Sequence, residues 1–302
     1  MRILRSFDDL RALNRPVHWA MGFFDGVHLG HRRVIESADT PGALRGVLTF
    51  EEHPLALLWP EIQPRLLTPD AQQKAELLAA LGVDVLLRLP FTRELAALSP
   101  AEFLDRVRES CPMVGISVGS NWRFGRDGAG DTDFVRSYAA SHGIRACVQT
   151  LLEQGGETVC SSRIRAALAA GKLDEVESML GRPFSICGEV THGQHLARTL
   201  GFPTANITLS PHAATPPMGV YAIACTLGEQ KLHGLANLGL RPTIDESEKP
   251  IRLETHFVDW TGDVYGERLE IALLRFIRPE LRFASIEALQ RQIAADLACA
   301  QH

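Results

Sequence analysis

The sequence has no apolar run near the roughly 18 residues that a membrane-spanning helix needs. Its opening stretch, Met1-Arg2-Ile3-Leu4-Arg5-Ser6-Phe7-Asp8-Asp9, turns acidic where an export signal would become apolar. Neither membrane insertion nor secretion is expected, and the chain reads as cytoplasmic. It also lacks an excess of positive charge: 31 Lys and Arg against 36 Asp and Glu leave a formal charge of -5. Nothing global draws such a chain to nucleic acid or anionic lipid, so any phosphate it binds is held by local donors. The six cysteines, Cys111, Cys147, Cys160, Cys187, Cys225 and Cys299, form no C-x-x-C pair and no Cys/His cluster of zinc spacing. They read as reduced, mostly buried thiols, because 302 residues build enough core without disulfides. No G-x-G-x-x-G turn follows the first strand-like run, which argues against an NAD-dependent oxidoreductase. Internal repeats are absent too, and the loop-like Pro211 to Pro217 is the single biased stretch.

What is present is an ordinary globular composition, 45% hydrophobic and 22% charged, sized for one large domain or two smaller ones. In the first half, strand-like runs at Val17 to Gly22, Gly46 to Phe50, Val83 to Leu89 and Val114 to Gly119 alternate with helical stretches. That order predicts a parallel sheet wrapped by helices. Helices are expected over Pro69 to Leu81 and from Ser99, where Ser99 caps, Pro100 takes the first helical position and Glu102 completes a capping box. Two more helical runs, Ser162 to Ala170 and Lys172 to Leu180, stop at Gly171 and Gly181. Near residue 182 the texture changes to short β-rich segments at Ser185 to Val190, Gly219 to Thr226, His233 to Asn237, Arg252 to Val258 and Leu269 to Phe276. Their spacing predicts a small antiparallel barrel or sandwich, closed by an amphipathic helix at Ser285 to Leu297. The expected domains are 1–182 and 183–302.

Gly22-Phe23-Phe24-Asp25-Gly26-Val27-His28-Leu29-Gly30-His31 lies between a strand and a helical run, at the carboxyl edge of a parallel sheet, where open α/β folds bind ligands. A helix starting near Gly30 turns the positive end of its dipole to an anion, and His28 and His31 add donors. That suits an α-phosphate, since nucleotidyl transfer needs alignment and charge stabilisation rather than a covalent nucleophile. Taken singly, each histidine reads equally well as a turn or capping residue. Together, H-x-G-H after Phe-Asp-Gly resembles the nucleotidyltransferase signature, and the longer string resembles the flavin adenylyltransferase module of bacterial FAD synthetases. Further similar segments follow in order: Thr49-Phe50-Glu51-Glu52-His53-Pro54, Arg65-Leu66-Leu67-Thr68 with Lys74, and Val118-Gly119-Ser120-Asn121-Trp122-Arg123-Phe124-Gly125. Cys160-Ser161-Ser162-Arg163-Ile164-Arg165 resembles that module's Ser-Ser-Thr-Arg-Ile-Arg helix start, with Cys160 and Ser162 as departures and Trp122 replacing a Phe.

In Thr199-Leu200-Gly201-Phe202-Pro203-Thr204-Ala205-Asn206-Ile207, alternation puts Thr204 and Asn206 on one face of an extended segment that Pro203 introduces. Two neutral oxygens side by side suit Mg²⁺ when phosphates supply further ligands, although Pro-Thr-Ala-Asn alone also reads as a capped turn. Gly193-Gln194-His195-Leu196-Ala197-Arg198 is a candidate phosphate loop with one glycine. Leu-Gly-Phe-Pro-Thr-Ala-Asn resembles the hallmark of riboflavin kinases. The remainder continues alike through Gly219-Val220-Tyr221, Ala236-Asn237-Leu238-Gly239-Leu240-Arg241-Pro242-Thr243, Leu253-Glu254-Thr255-His256, Val264-Tyr265-Gly266 and Phe276-Ile277-Arg278-Pro279-Glu280.

The resemblance spans nearly the whole chain and implies a bifunctional riboflavin kinase and FAD synthetase. The implied fold is α/β: a Rossmann-like nucleotidyltransferase domain with a parallel sheet, then an antiparallel kinase barrel with a terminal helix. By position, Gly22, Phe24, Asp25, Gly26, His28, Gly30, His31, Asn121, Ser161, Ser162 and Arg163 bind ATP for adenylyl transfer, with His28 and His31 at the reacting phosphate. Gly193, Arg198, Gly201, Pro203, Thr204 and Asn206 bind ATP for phosphorylation, and Thr204 and Asn206 hold Mg²⁺. Asn237, Arg241 and Glu254 meet the flavin, Glu254 as general base, although a Glu on a strand is by itself as well read as solvated. Riboflavin, FMN, FAD and ATP are the expected small molecules; neither nucleic acid nor membrane is an expected partner, and self-association is compatible with the sequence. One retained activity, or a flavin-binding regulator without turnover, are the alternative readings.

Overall fold

The computed structural model describes residues 1–191, 204–240, 250–258, 260, 262 and 264–300. Contacts divide the chain into two compact units, Met1–Ser161 and Ser162–His302. The sequence texture changes near 182, whereas compactness divides earlier because the helix preceding that point, Leu173–Leu180, packs against strands of the second unit.

The first unit runs β1 (Arg2–Leu4), α1 (Phe7–Leu10), β2 (Val17–Met21), α2 (Leu29–Ser37), β3 (Leu44–Phe50), α3 (Pro54–Leu58), α4 (Ala71–Ala80), β4 (Val85–Leu89), α5 (Arg93–Ala96), α6 (Pro100–Ser110), β5 (Met113–Gly119), α7 (Thr132–His142), β6 (Arg145–Gln149) and the small hairpin β7 (Glu153–Gln154) and β8 (Glu157–Thr158). The six-stranded sheet has the order β1-β4-β3-β2-β5-β6, with every neighbouring pair parallel. Alternation along β2 sends Val17, Trp19 and Met21 into a core with α1, α6 and α7. Ala20 faces the opposite core, built with α2 and α4. Helices therefore cover both faces, and β2 sits where the chain order reverses between β3 and β5, the place at which such sheets leave a crevice beyond their carboxyl ends. The two strands of this sheet not expected from the sequence, β1 and β6, are a three-residue edge and a half-buried one without a continuous apolar run.

The second unit carries α8 (Ser161–Ala169), whose first residue belongs to the first unit, then α9 (Leu173–Leu180), stopped by the left-handed Gly181. Six strands follow: β9 (Phe184–Thr191), β10 (Thr204–Thr208), β11 (Gly219–Leu227), β12 (Gln230–Leu240), β13 (Ile251–Phe257) and β14 (Arg268–Arg278). They close into an antiparallel barrel in the order β10-β13-β12-β11-β14-β9, so no edge is left open. Ile207, Tyr221, Leu238, Leu253, Phe257 and Ile271 fill it, and the terminal helix Ile286–Ala300 packs against β12 and β14.

The capping box at α6 forms as the sequence predicts: the Glu102 N–H donates to Ser99 Oγ at 3.3 Å and the Ser99 N–H to Glu102 Oε2 at 2.7 Å. Ser99→Ala is expected to cost about 1 kcal/mol in chemical denaturation, and Ser99→Asp to recover most of it.

Candidate functional sites

The segment after β2 forms a turn whose backbone enters the left-handed region three times, at Phe24 (φ 56°), Gly26 (φ 84°) and Val27 (φ 42°). A β-branched residue in that region is strained and persists only where neighbours hold it. Several bonds do so. Asp25, 3% exposed, accepts from the Leu67 and Thr68 N–H groups at 2.9 and 3.2 Å, and the Gly26 N–H donates to Thr68 Oγ1 at 3.1 Å. Thr49 Oγ1 and Lys74 Nζ both donate to the Phe23 carbonyl, at 2.9 and 3.1 Å, and Lys74 lies over the Phe23 ring 4.1 Å from its centre. Ser161 Oγ donates to the Asp25 carbonyl at 2.9 Å.

This turn delivers the chain into α2. His28 is the N-cap, and its Nδ1 accepts from the His31 N–H at 3.2 Å. That bond uses Nδ1 as an acceptor, so the ring proton of a neutral His28 sits on Nε2. The His28 and His31 rings stack at 3.5 Å, and Phe24 meets His31 edge-on at 5.3 Å. Burial first, then the neighbouring His28 and Lys74, holds the His31 imidazole well below its ordinary value. At neutral pH His31 is an uncharged donor, while Lys74 and the helix N-terminus supply positive potential. Burial pushes the Lys74 ammonium down to about 8, with Asp25 opposing and Arg88 adding to the shift.

Of the residues expected at this site, Asp25, Gly26, His28, His31 and Ser161 are joined by these bonds, Phe24 meets His31 by its ring, Gly22 and Gly30 lie on the same segment, and Asn121 is exposed just past the end of β5. Ser162 and Arg163 belong to the second unit, where Ser162 Oγ accepts from Arg165 at 3.1 Å and Arg163 pairs with Glu175 at 3.3 Å. The sequence reading gave no role to Thr49, Thr68 or Lys74, although each holds the turn. Their signal is weak, because the partners stand 26 to 51 residues away.

In the barrel, register gathers the second set. Asn206 on β10 and Asn237 on β12 are the direct cross-strand partners of Glu254 on β13. Direct partners project from the same side of a sheet, and since Leu253 and Thr255 are buried, this row lies on the outer face. Glu254 is exposed and His256, two residues on, shares its side. Thr204 is the register partner of His256, two residues before Asn206 on β10. Asn206 is 2% exposed and its Oδ1 has no hydrogen-bond partner among the described residues. A buried amide oxygen left unpaired costs about 1–3 kcal/mol, so this atom is one that a ligand would satisfy. Glu280, to which the sequence reading gave no role, accepts from Asn237 Nδ2 at 3.0 Å and covers Gly239, where any side chain would collide with its carboxylate. Gly193, Arg198, Gly201, Pro203 and Arg241 lie outside the described residues. Among the described residues no group of three His, Cys, Asp or Glu is arranged to hold a metal.

Two family models match this chain, FAD synthetase over residues 10–163 and riboflavin kinase over 180–302. A bifunctional riboflavin kinase/FMN adenylyltransferase of Pseudomonas fluorescens is 38% identical, the match covering 100% of this chain and 97% of the relative. The chain belongs to this family. The Escherichia coli K12 member is 37% identical over 98% of this chain and 96% of its own length. A crystal structure described as a macrolide-efflux protein from Streptococcus pneumoniae superposes with a TM-score of 0.86 at 26% identity, covering 99% of this chain and 98% of that one. Among the described residues no helix is long and apolar enough to cross a membrane.

For a family member with His31 neutral, kcat/KM for FMN adenylylation is expected to stay level as the pH falls through about 6.5, the ordinary histidine value. It is expected to decline above pH about 8, as Lys74 loses its proton. A pH profile of kcat/KM checks both limbs.

Proposed function

We propose that this chain converts riboflavin and ATP to FMN and ADP in its barrel unit, and FMN and a second ATP to FAD and pyrophosphate in its parallel-sheet unit. The order follows from chemistry, since adenylylation needs the phosphate that the kinase installs. The catalytic units are assigned to 183–302 and 1–182, in the cytoplasm, where both flavin and ATP are supplied.

In the kinase step the terminal ribityl oxygen attacks the γ-phosphorus, the bond to the β-phosphate oxygen breaks, and the hydroxyl proton passes to Glu254. The observation that carries this assignment is the cross-strand row Asn206, Glu254, Asn237, which sets one carboxylate between two amides. Thr204 and Asn206 are assigned to Mg²⁺, and the unpaired Asn206 Oδ1 is of the chemistry that such an ion accepts. When bound, the ion neutralises phosphate oxygens. Gly193, Arg198, Gly201 and Pro203 are assigned to the same ATP, and Asn237 and Arg241 to the flavin.

In the adenylyl step an FMN phosphate oxygen attacks the α-phosphorus of ATP and pyrophosphate leaves. No proton has to move. The work is to hold two anions in line, and the α2 N-terminus with neutral His28 and His31 as donors is suited to it. The remaining contacts of this ATP are assigned to Gly22, Phe24, Asp25, Gly26, Gly30, Asn121, Ser161, Ser162 and Arg163, of which Asp25 and Ser161 shape the turn.

Two variants separate the halves, read by chromatography of products from riboflavin, ATP and Mg²⁺. Glu254→Ala is expected to lower FMN formation by at least about 100-fold while FAD still forms from supplied FMN. Loss of both in a folded variant contradicts the assignment. His28→Ala with His31→Ala is expected to stop FAD and spare FMN.

A further inference from the structure

One buried polar group stands outside the machinery described so far. His18, on β2, is fully buried on the sheet face that receives α2. Its Nδ1 is 2.9 Å from Thr40 Oγ1 and its Nε2 is 3.0 Å from Ser117 Oγ on β5. Ser117 Oγ is in turn 3.0 Å from Ser37 Oγ, in the last turn of α2, and Ser37 Oγ is 2.8 Å from the Val34 carbonyl. The chain of contacts thus runs from the loop after α2 through β2 and β5 and back to the end of α2. Room for the ring is kept by Gly115, where an added Cβ would stand 2.7 Å from three His18 ring atoms.

Proton counting orders this chain. A hydroxyl has one hydrogen, so Ser37 serves either Val34 or Ser117. At the end of α2 the Ala38 N–H bonds to the Ile35 carbonyl, one residue short of the helical register, and leaves Val34 without that donor. With the Ser37 proton assigned to Val34, the Ser37–Ser117 contact requires Ser117 to donate to Ser37, and His18 Nε2–H then donates to Ser117. His18 Nδ1 accepts from the Thr40 hydroxyl. This order satisfies the Val34 carbonyl, the Ser117 hydroxyl and both His18 ring nitrogens with an Nε2-protonated imidazole.

We propose that His18 is a positioning residue for nucleotide binding: its directional hydrogen-bond relay fixes the carboxyl end of α2 and thereby the aim of the helix whose opposite end carries His28 and His31. The inference rests on the adenylyl-transfer reading of that end. It explains why a polar side chain occupies the centre of a β-strand that is otherwise apolar. Arg45 adds to the clamp through bonds from Nε to the Ala38 carbonyl at 3.4 Å and from Nη1 to the Leu81 carbonyl at 2.9 Å. Burial pushes the His18 imidazole down to about 4, with Arg145 and Arg45 lowering it further and Asp39 opposing. Those are the charged groups that face it, and Asp39 is itself held by Arg145 on its carbonyl and Arg45 on its carboxylate. The relay is consequently intact throughout the neutral range.

Histidine-labelled full-length protein, read by nitrogen-15 NMR, tests the proton order: His18 is expected to show the neutral Nε2–H tautomer without titrating near 6.5, the ordinary value. An Nδ1–H tautomer, or a midpoint near 6.5, overturns the relay. Kinetics test the positioning. Ser117→Ala removes one oxygen from the middle of the chain and is expected to lower kcat/KM for ATP in FMN adenylylation about tenfold, chiefly through KM. Riboflavin phosphorylation by the same sample is expected to be unchanged. His18→Leu is expected to behave like Ser117→Ala, and His18→Gln, which keeps a donor toward Ser117, to recover most of the loss. Reduced thermal stability with an unchanged KM would make the relay a packing feature and overturn the proposal. If His28→Ala with His31→Ala leaves FAD formation intact, the adenylyl-site reading itself fails; if that pair abolishes it while both relay variants keep the KM, only the relay fails.

Discussion

A chain with net negative charge that handles two triphosphates has to hold its phosphate-facing backbone in place before a ligand arrives. In the first unit the proposed phosphate site is the ten residues from Gly22 to His31. Three of them adopt left-handed backbone, two without being glycine, and bonds from the Leu67–Thr68 segment, β3, α4 and Ser161 fix them there. Donors that are already oriented cost nothing to reorganise when charge develops on a phosphate, and in the proposed adenylyl site neutral imidazoles and a helix end take the place of a cluster of cations. Lys74 fits the same logic. Its ammonium is spent on the Phe23 carbonyl and ring, and it contributes field and rigidity from beneath the turn.

The barrel meets an equivalent demand by register. A closed antiparallel sheet has no freedom to slip, because shifting one strand by a residue would turn its buried side chains outward. The pairing that buries Leu253 and Thr255 therefore also sets Glu254 between Asn206 and Asn237. Glu280 and Gly239 extend the row: the glycine leaves space for a carboxylate that in turn orients the Asn237 amide. Both units thus place their polar chemistry on elements that the core has already fixed.

Much of this was legible in the sequence, for physical reasons. The continuous apolar runs of β2, β3, β4 and β5 are what a sheet buried on both faces requires, and the Ser99 and Gly181 punctuation marks real helix ends. The barrel strands showed as short β-rich segments, with ends one to three residues off where polar residues continue the ladder, as in β12. The Gly22 to His31 motif was visible because its residues are consecutive. Thr68 on Gly26, Lys74 on Phe23 and Glu280 on Asn237 were not, since each joins residues 42 to 51 positions apart that only folding brings together. His18 was hidden in another way: one histidine in an apolar run reads as a strand residue until Thr40, Ser37 and Ser117 are seen around it.

The central claim is that two separate ATP sites act in succession on one flavin, one transferring the γ-phosphoryl group and the other the AMP moiety. Incubating the protein with riboflavin, Mg²⁺ and ATP labelled distinguishably at the α- and γ-phosphorus tests it in a single reaction. FAD should carry one γ-derived phosphate next to the ribityl chain and one α-derived phosphate next to adenosine, with ADP and pyrophosphate as the other products. FAD with both phosphates from a single ATP, or no FMN formed on the way, would contradict the account.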